Sequence, residues 1–124
     1  MIPMVLVAVD DLLFSSKIRS TAKGAGVDLV FARSPEEILQ QARALAPSLV
    51  IFDLNSAKTD PIQTIAAMKK DPAMAGIRTV GFVSHVDTSV IQAARQAGAD
   101  DVMARSAFAG NLAGILMAGR TAEP

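Results

Sequence analysis

MVLVAVDD, residues 4–11, decides the fold together with its counterpart SLVIFD, residues 48–53. Each is a short apolar run that ends in acid. Asp10 and Asp11 close the first, and Asp53 closes the second. The apolar residues are continuous and do not alternate with polar ones. A strand with one wet face alternates, so continuous runs predict strands covered on both faces, in the middle of a sheet. Carboxylates at the carboxyl ends of such strands converge at one edge. Like charges gathered so closely repel, and each resists ionising without a partner. A divalent cation among them would account for the arrangement. It is better accounted for if one carboxylate is a chemical acceptor.

Outward from these runs, apolar segments alternate with amphipathic ones. Leu12–Lys23 is predicted as a helix, with Leu13, Ile18 and Ala22 on one face. Val27–Ala32 is the second strand. Ser34-Pro35-Glu36-Glu37 is a helix start: Ser34 caps, Pro35 suits the first helical position and Glu37 completes a capping box. That helix runs through Leu45 and stops near Pro47. After the third strand, Leu49–Phe52, comes a loop, Leu54–Asp60, and a helix from about Pro61 to Lys70 that Asp71-Pro72 breaks. Lys69-Lys70 is read as a solvated helix end. Ile77–Val83 is the fourth strand. Asp87 or Thr88 caps a helix carrying Val90, Ile91, Ala94 and Ala97, which Gly98 ends. Asp101–Ala104 is a short fifth strand, and Ala109–Met117 a last helix weakened by Gly110 and Gly114.

Strands that alternate with helices cannot pair as hairpins. The expected fold is therefore α/β, a doubly wound five-stranded parallel sheet of flavodoxin-like order 2-1-3-4-5. Residues 1–124 read as a single domain with no output domain attached.

Composition removes several functions. Lys and Arg number 12 against 12 Asp and Glu, so net charge makes no case for nucleic acid or an acidic membrane surface. There is no cysteine, hence no disulfide, thiolate metal site or cysteine nucleophile. No apolar run approaches the roughly 20 residues of a bilayer span, and the start lacks the basic region of a signal peptide. A cytoplasmic domain is the expectation. No glycine-rich phosphate cradle follows a strand, which argues against a nucleotide-binding domain.

In a doubly wound sheet, ligands bind at the carboxyl ends of the strands where strand order reverses. For order 2-1-3-4-5 that crevice lies between strands one and three, the two that end in Asp10/Asp11 and Asp53. Mg²⁺ takes hard oxygen ligands and keeps several waters. Asp11 and Asp53 can supply carboxylates, Asp10 can act directly or through water, and Asn55 is placed to offer its carbonyl. Ser84 follows strand four, where its hydroxyl can donate to an oxyanion. Arg105 follows strand five, where its guanidinium can pair with a carboxylate or phosphoryl group. Taken singly, each residue has a plainer role: Asp10 and Asp11 as helix caps, Asn55 as a turn former, Ser84 and His85 as loop residues, Arg105 as a surface cation.

These residues resemble the pattern of response-regulator receiver (CheY-like) domains over essentially the whole chain. That pattern has an acidic pair after strand one, a phosphoacceptor Asp after strand three, Ser or Thr after strand four and Lys after strand five. Here these positions hold Asp10-Asp11, Asp53, Ser84 and Arg105, and the Ala97-Gly98-Ala99 turn is also similar. The resemblance implies a stand-alone signalling module of a two-component phosphorelay, not a turnover enzyme. Asp53 would accept a phosphoryl group from a histidine kinase or phosphotransfer protein. Mg²⁺ would be held by Asp10, Asp11, Asp53 and the Asn55 carbonyl, and Ser84 would bind the phosphoryl group. A downstream protein target would meet the face of helix four, strand five and helix five. The apolar last helix (Leu112, Ile115, Leu116, Met117) would bury surface against a partner or in a homodimer.

The chain departs from the family pattern at four places. Arg105 replaces Lys, and the two are not interchangeable. Ser106-Ala107-Phe108 follows where a Pro is usual. Val102 occupies the position of the switch aromatic. Asp60-Pro61 replaces Asp-Gly. A second reading follows from these departures: a pseudo-receiver that binds proteins without phosphorylation. A third is a small Mg²⁺-dependent phosphohydrolase, which needs a capped substrate pocket for which this length leaves little room.

Overall fold

The two apolar runs that end in acid are neighbouring strands. In the computed structural model, which describes residues 4–84 and 87–118, they pair in parallel with Ala8 opposite Phe52. His85 lies outside the described residues. The elements are β1 (Met4–Ala8), α1 (Leu12–Ala25), β2 (Asp28–Phe31), α2 (Pro35–Leu45), β3 (Leu49–Asp53), α3 (Pro61–Lys70), β4 (Arg78–Val83), α4 (Thr88–Ala97), β5 (Asp101–Ala104), α5 (Arg105–Gly110) and α6 (Leu112–Ala118). The sheet has five parallel strands in the order β2-β1-β3-β4-β5. The expected doubly wound architecture is the one found.

Successive strand residues face opposite sides, so a strand covered on both faces needs apolar residues at every position. Val5, Val7, Leu49, Ile51, Val80 and Phe82 face one layer, with Phe14, Ile18 and Ala22 of α1 and with Phe108, Leu112, Ile115 and Leu116. Leu6, Ala8, Val50 and Phe52 face the other, with Ile38, Ile65, Met68 and Ala94 from α2, α3 and α4. The division explains why MVLVA and LVIF carry no polar interruptions.

Helix ends follow the sequence cues. Ser34 Oγ accepts from Glu37 N at 3.1 Å, and Glu37 Oε1 accepts from Arg33 N at 2.9 Å, one residue beyond the usual capping-box partner. Asp87, not Thr88, caps α4. Gly98 ends that helix at φ +111°, where a Cβ would also meet Lys69 Cγ at 2.6 Å. Both the left-handed backbone and the close approach require glycine there.

Four expectations are corrected. Leu13 is 85% exposed; the buried stripe of α1 is Phe14, Ile18 and Ala22, a strict four-residue spacing. Lys69 is not a solvated end. Its ammonium lies back over the α3–β4 turn, donating to Ile77 O at 2.9 Å and to Asp100 Oδ2 at 3.2 Å. The last helix begins at Arg105, directly after β5, and breaks at Asn111 (φ −125°), whose carbonyl then accepts from Ile115 N to start α6. A short α5 is held because Phe108, fully buried, stacks on Phe82 with ring centroids 4.8 Å apart. Finally, Leu112, Ile115 and Leu116 are buried within the fold as α6 packs on α1, which leaves Met117 as the exposed large residue of that helix.

Candidate functional site

Strand pairing brings the carboxyl ends of β1 and β3 side by side, and the acids follow from that register. Asp53 is the last residue of β3 and lies opposite Phe82 of β4. It is half-buried, and its Oδ1 accepts from Asn55 N at 3.0 Å, closing a tight turn. Burial pushes its carboxyl above the usual aspartate range, and the charges of Asp11 and Asp10 push the same way. The Asn55 N–H and the Arg105 guanidinium oppose them without cancelling the rise. Asp10, Asp11, Asp53 and Arg105 therefore share one electrostatic neighbourhood.

Asp11 has two occupations. Its Oδ1 caps α1, accepting from Leu13 N at 2.9 Å and Phe14 N at 3.1 Å. Its Oδ2 accepts from Arg105 Nη2 at 3.1 Å. The Phe14 N–H is the largest influence holding its carboxyl below the ordinary value, and Arg105 and the Leu13 N–H add to it against some desolvation. Asp10 has no hydrogen bond or ion pair among the described residues.

Arg105 reaches this pocket from the first position of α5. Its guanidinium lies over the Phe14 ring, 4.3 Å from the centroid, while pairing with Asp11. Asp11 caps α1 and Phe14 lies in its first turn, so one cation clamps α5 to the start of α1. Lying over a ring while donating to a carboxylate suits the broad guanidinium better than a compact ammonium. The departure from Lys is thus matched by a partner, Phe14.

Ser84 lies just past β4. Its backbone N–H donates to Asn55 Oδ1 at 2.7 Å, and its hydroxyl has no partner among the described residues. Asn55 therefore joins two strand-end loops: its own N–H holds Asp53, and its side chain holds Ser84. An open groove of about 560 Å³ runs beside Arg105, lined also by Phe14, Lys17, Val83, Ser84 and Ala109. Val102 packs half-buried against the α4 side of the sheet. Asp60 precedes α3 with φ +43°, is exposed and caps no N–H.

The donors at the pocket are hard oxygens, the chemistry Mg²⁺ takes. Asp10, the second oxygen of Asp53 and the Asn55 carbonyl are free of hydrogen bonds among the described residues. Asp11 is committed to Arg105. As the side chains stand, no group of three or more His, Cys, Asp or Glu among the described residues is placed to hold a metal ion. The oxygen donors fit the ion in kind; Arg105 would have to release Asp11 Oδ2 for that carboxylate to join them.

Phe14 was absent from the sequence-derived site. One signal points to it: it stands three residues after Asp11, while Phe82 is one residue before the end of β4 and Phe108 four residues past the end of β5. The three rings meet, with Phe14 5.1 Å from Phe82 and 5.7 Å from Phe108 between centroids.

No protein-family model and no curated protein matches the chain. Solved structures do match it. A response regulator from Hahella chejuensis is 22% identical with a TM-score of 0.86, over 97% of this chain and 96% of that one. The fold is that of response-regulator receiver domains. A phosphorylated cyanobacterial phytochrome response regulator, RcpA, is 18% identical with a TM-score of 0.85, over 100% of this chain and 98% of that one. The Mn²⁺-bound form of response regulator Rcp1 is 19% identical with a TM-score of 0.77, over 93% of this chain and 92% of that one. The described residues therefore carry the receiver fold. Among the described residues no helix is long and apolar enough to cross a membrane.

Proposed function

We propose that this chain is a receiver-type signalling module of a two-component phosphorelay, with Asp53 as its phosphoacceptor. One observation carries the reading: Asp53 is half-buried in the crevice between β1 and β3, with two further carboxylates and one guanidinium acting on it. A histidine kinase or phosphotransfer protein would be the donor. An Asp53 carboxylate oxygen attacks the phosphorus of a phosphohistidine. A new P–O bond forms, the P–N bond breaks, and the imidazole leaves with its electron pair.

Asn55 orients Asp53 by bonding one carboxylate oxygen, which leaves the other for attack. The Ser84 hydroxyl is available to donate to a phosphoryl oxygen. Arg105 is near enough to Asp53 to lower its pKa and so to stabilise charge on a group attached there. Asp10, Asp11, Asp53 and the Asn55 carbonyl would hold Mg²⁺, which would supply compensation for charge on the phosphoryl oxygens. The module would be a phosphoacceptor and not a turnover enzyme, signalling from the cytoplasm to a downstream protein through the face of α4, β5 and the last helical segments, α5 and α6.

The Arg105–Asp11 pair favours a second reading, in which the same fold binds its target without phosphorylation. Incubation with acetyl phosphate and Mg²⁺, followed by intact mass, separates the two. A gain of one phosphoryl group that disappears in Asp53→Asn supports the phosphoacceptor. No gain, or a gain that survives Asp53→Asn, refutes it and leaves the phosphorylation-independent module.

A further inference from the structure

The acidic pocket already contains a cation. Arg105 Nη2 is 3.1 Å from Asp11 Oδ2, and its guanidinium carbon lies 4.3 Å from the centroid of the Phe14 ring. The other Asp11 oxygen is held by two backbone N–H groups of α1. While both occupations stand, neither Asp11 oxygen is free of a hydrogen bond, and a metal at Oδ2 would meet the guanidinium's like charge at contact distance. Turning Asp11 outward would also uncap α1, so the oxygen that a metal recruits is the one Arg105 now holds.

We propose that Arg105 is a resident counter-cation that competes with a divalent ion for Asp11, so that metal binding requires the guanidinium to leave. This rests on reading the acids as a divalent-cation site. Three geometric observations support it. Arg105 is at the first position of a helix pinned by a buried ring three residues later, so its backbone is fixed next to the pocket. Its side chain is only partly buried and borders an open groove, so it has room to swing away. Asp10, in the same pocket, has no protein partner among the described residues, so the guanidinium satisfies Asp11 and leaves donors that a second cation would use.

The competition has a direct readout. Mn²⁺ is titrated into the wild type, Arg105→Ala and Lys17→Ala by calorimetry, and Mg²⁺ into the wild type while the Arg105 Nε–H resonance is followed by NMR. Removing a unit charge from contact distance, together with the pair it blocks, should tighten Mn²⁺ binding by on the order of tenfold or more in Arg105→Ala. Lys17→Ala, which removes an exposed cation from the same groove, should change it by less than about twofold. Mg²⁺ should displace the Arg105 resonance with the same midpoint as the Asp11 carboxyl signal. Equal affinity in wild type and Arg105→Ala overturns the proposal, as does metal binding in the wild type with the Arg105 resonance unmoved. Absence of binding in both proteins overturns it too. Each of these results leaves the acetyl phosphate experiment to judge Asp53 as acceptor separately.

Discussion

Phe108 is the residue whose replacement tests how the site is built. It is fully buried, stacked on Phe82 at 4.8 Å with planes 17° apart, and 5.7 Å from Phe14. Arg105 precedes it by three positions, so the two lie on one side of α5. Truncating a buried Phe to Ala removes its transfer free energy and leaves a cavity, together about 3–5 kcal/mol. A domain of this size has a total stability of about 5–15 kcal/mol, so Phe108→Ala should lose a large fraction of it. Phe108→Leu keeps most of the volume and loses chiefly the ring pairing, roughly 1–3 kcal/mol. Urea unfolding followed by circular dichroism measures both, and an unchanged slope with denaturant shows that the folded state is comparable. The milder variant carries the functional half of the prediction. With α5 loosened, the Arg105 Nε–H signal should lose the ring-current displacement that Phe14 imposes on it. A cost below about 1 kcal/mol for Phe108→Ala would mean that the ring does not anchor α5. An unmoved Arg105 signal in a folded Phe108→Leu would mean that α5 does not position the guanidinium.

Two further outcomes follow from the site. Burial raises the Asp53 pKa in the folded state, so its ionisation opposes folding. The stability of the protonated form is fully present below the unfolded-state value of 3.8 and is lost as pH rises through the raised folded value. Asp53→Asn should therefore match the wild type at the acid end and exceed it increasingly toward neutral pH; melting temperatures of both proteins from acid to neutral pH check this, and a flat or inverted difference refutes it. Asn55→Ala removes the acceptor of the Ser84 N–H, a bond of 2.7 Å. A net hydrogen-bond contribution of about 0.5–1.5 kcal/mol predicts hydrogen exchange at the Ser84 amide faster by about two- to tenfold, with exchange in the β1 core unchanged.

The site was legible in part because it is made of strand ends. An apolar run covered on both faces and closed by acid specifies its depth in the sheet and the edge at which its acids emerge. That logic brought Asp10, Asp11 and Asp53 to one crevice and placed Ser84 and Arg105 at the ends of the next two strands. What it missed concerns side-chain partners. Leu13 and Phe14 are both apolar and adjacent, and helical periodicity over a short stretch does not separate them; only packing against Phe82 and Phe108 selects Phe14 as the buried one. A pair of lysines in the last turn of a helix reads as a solvated end, and Lys69-Lys70 carries that expectation. The carbonyl partner of Lys69, Ile77, is 8 positions on, past the turn after α3, and its carboxylate partner, Asp100, is 31 positions on.

The amino-acid order alone therefore determined the α/β alternation, the parallel sheet and the acids at its switch point, because these depend on local periodicity and on which residues end each strand. Tertiary structure alone decided that Asp11 faces Arg105, 94 positions away, across the Phe14 ring. A charge–charge partnership of that kind depends on distances through space set by the packing of α5 on the sheet. No spacing along the chain encodes it.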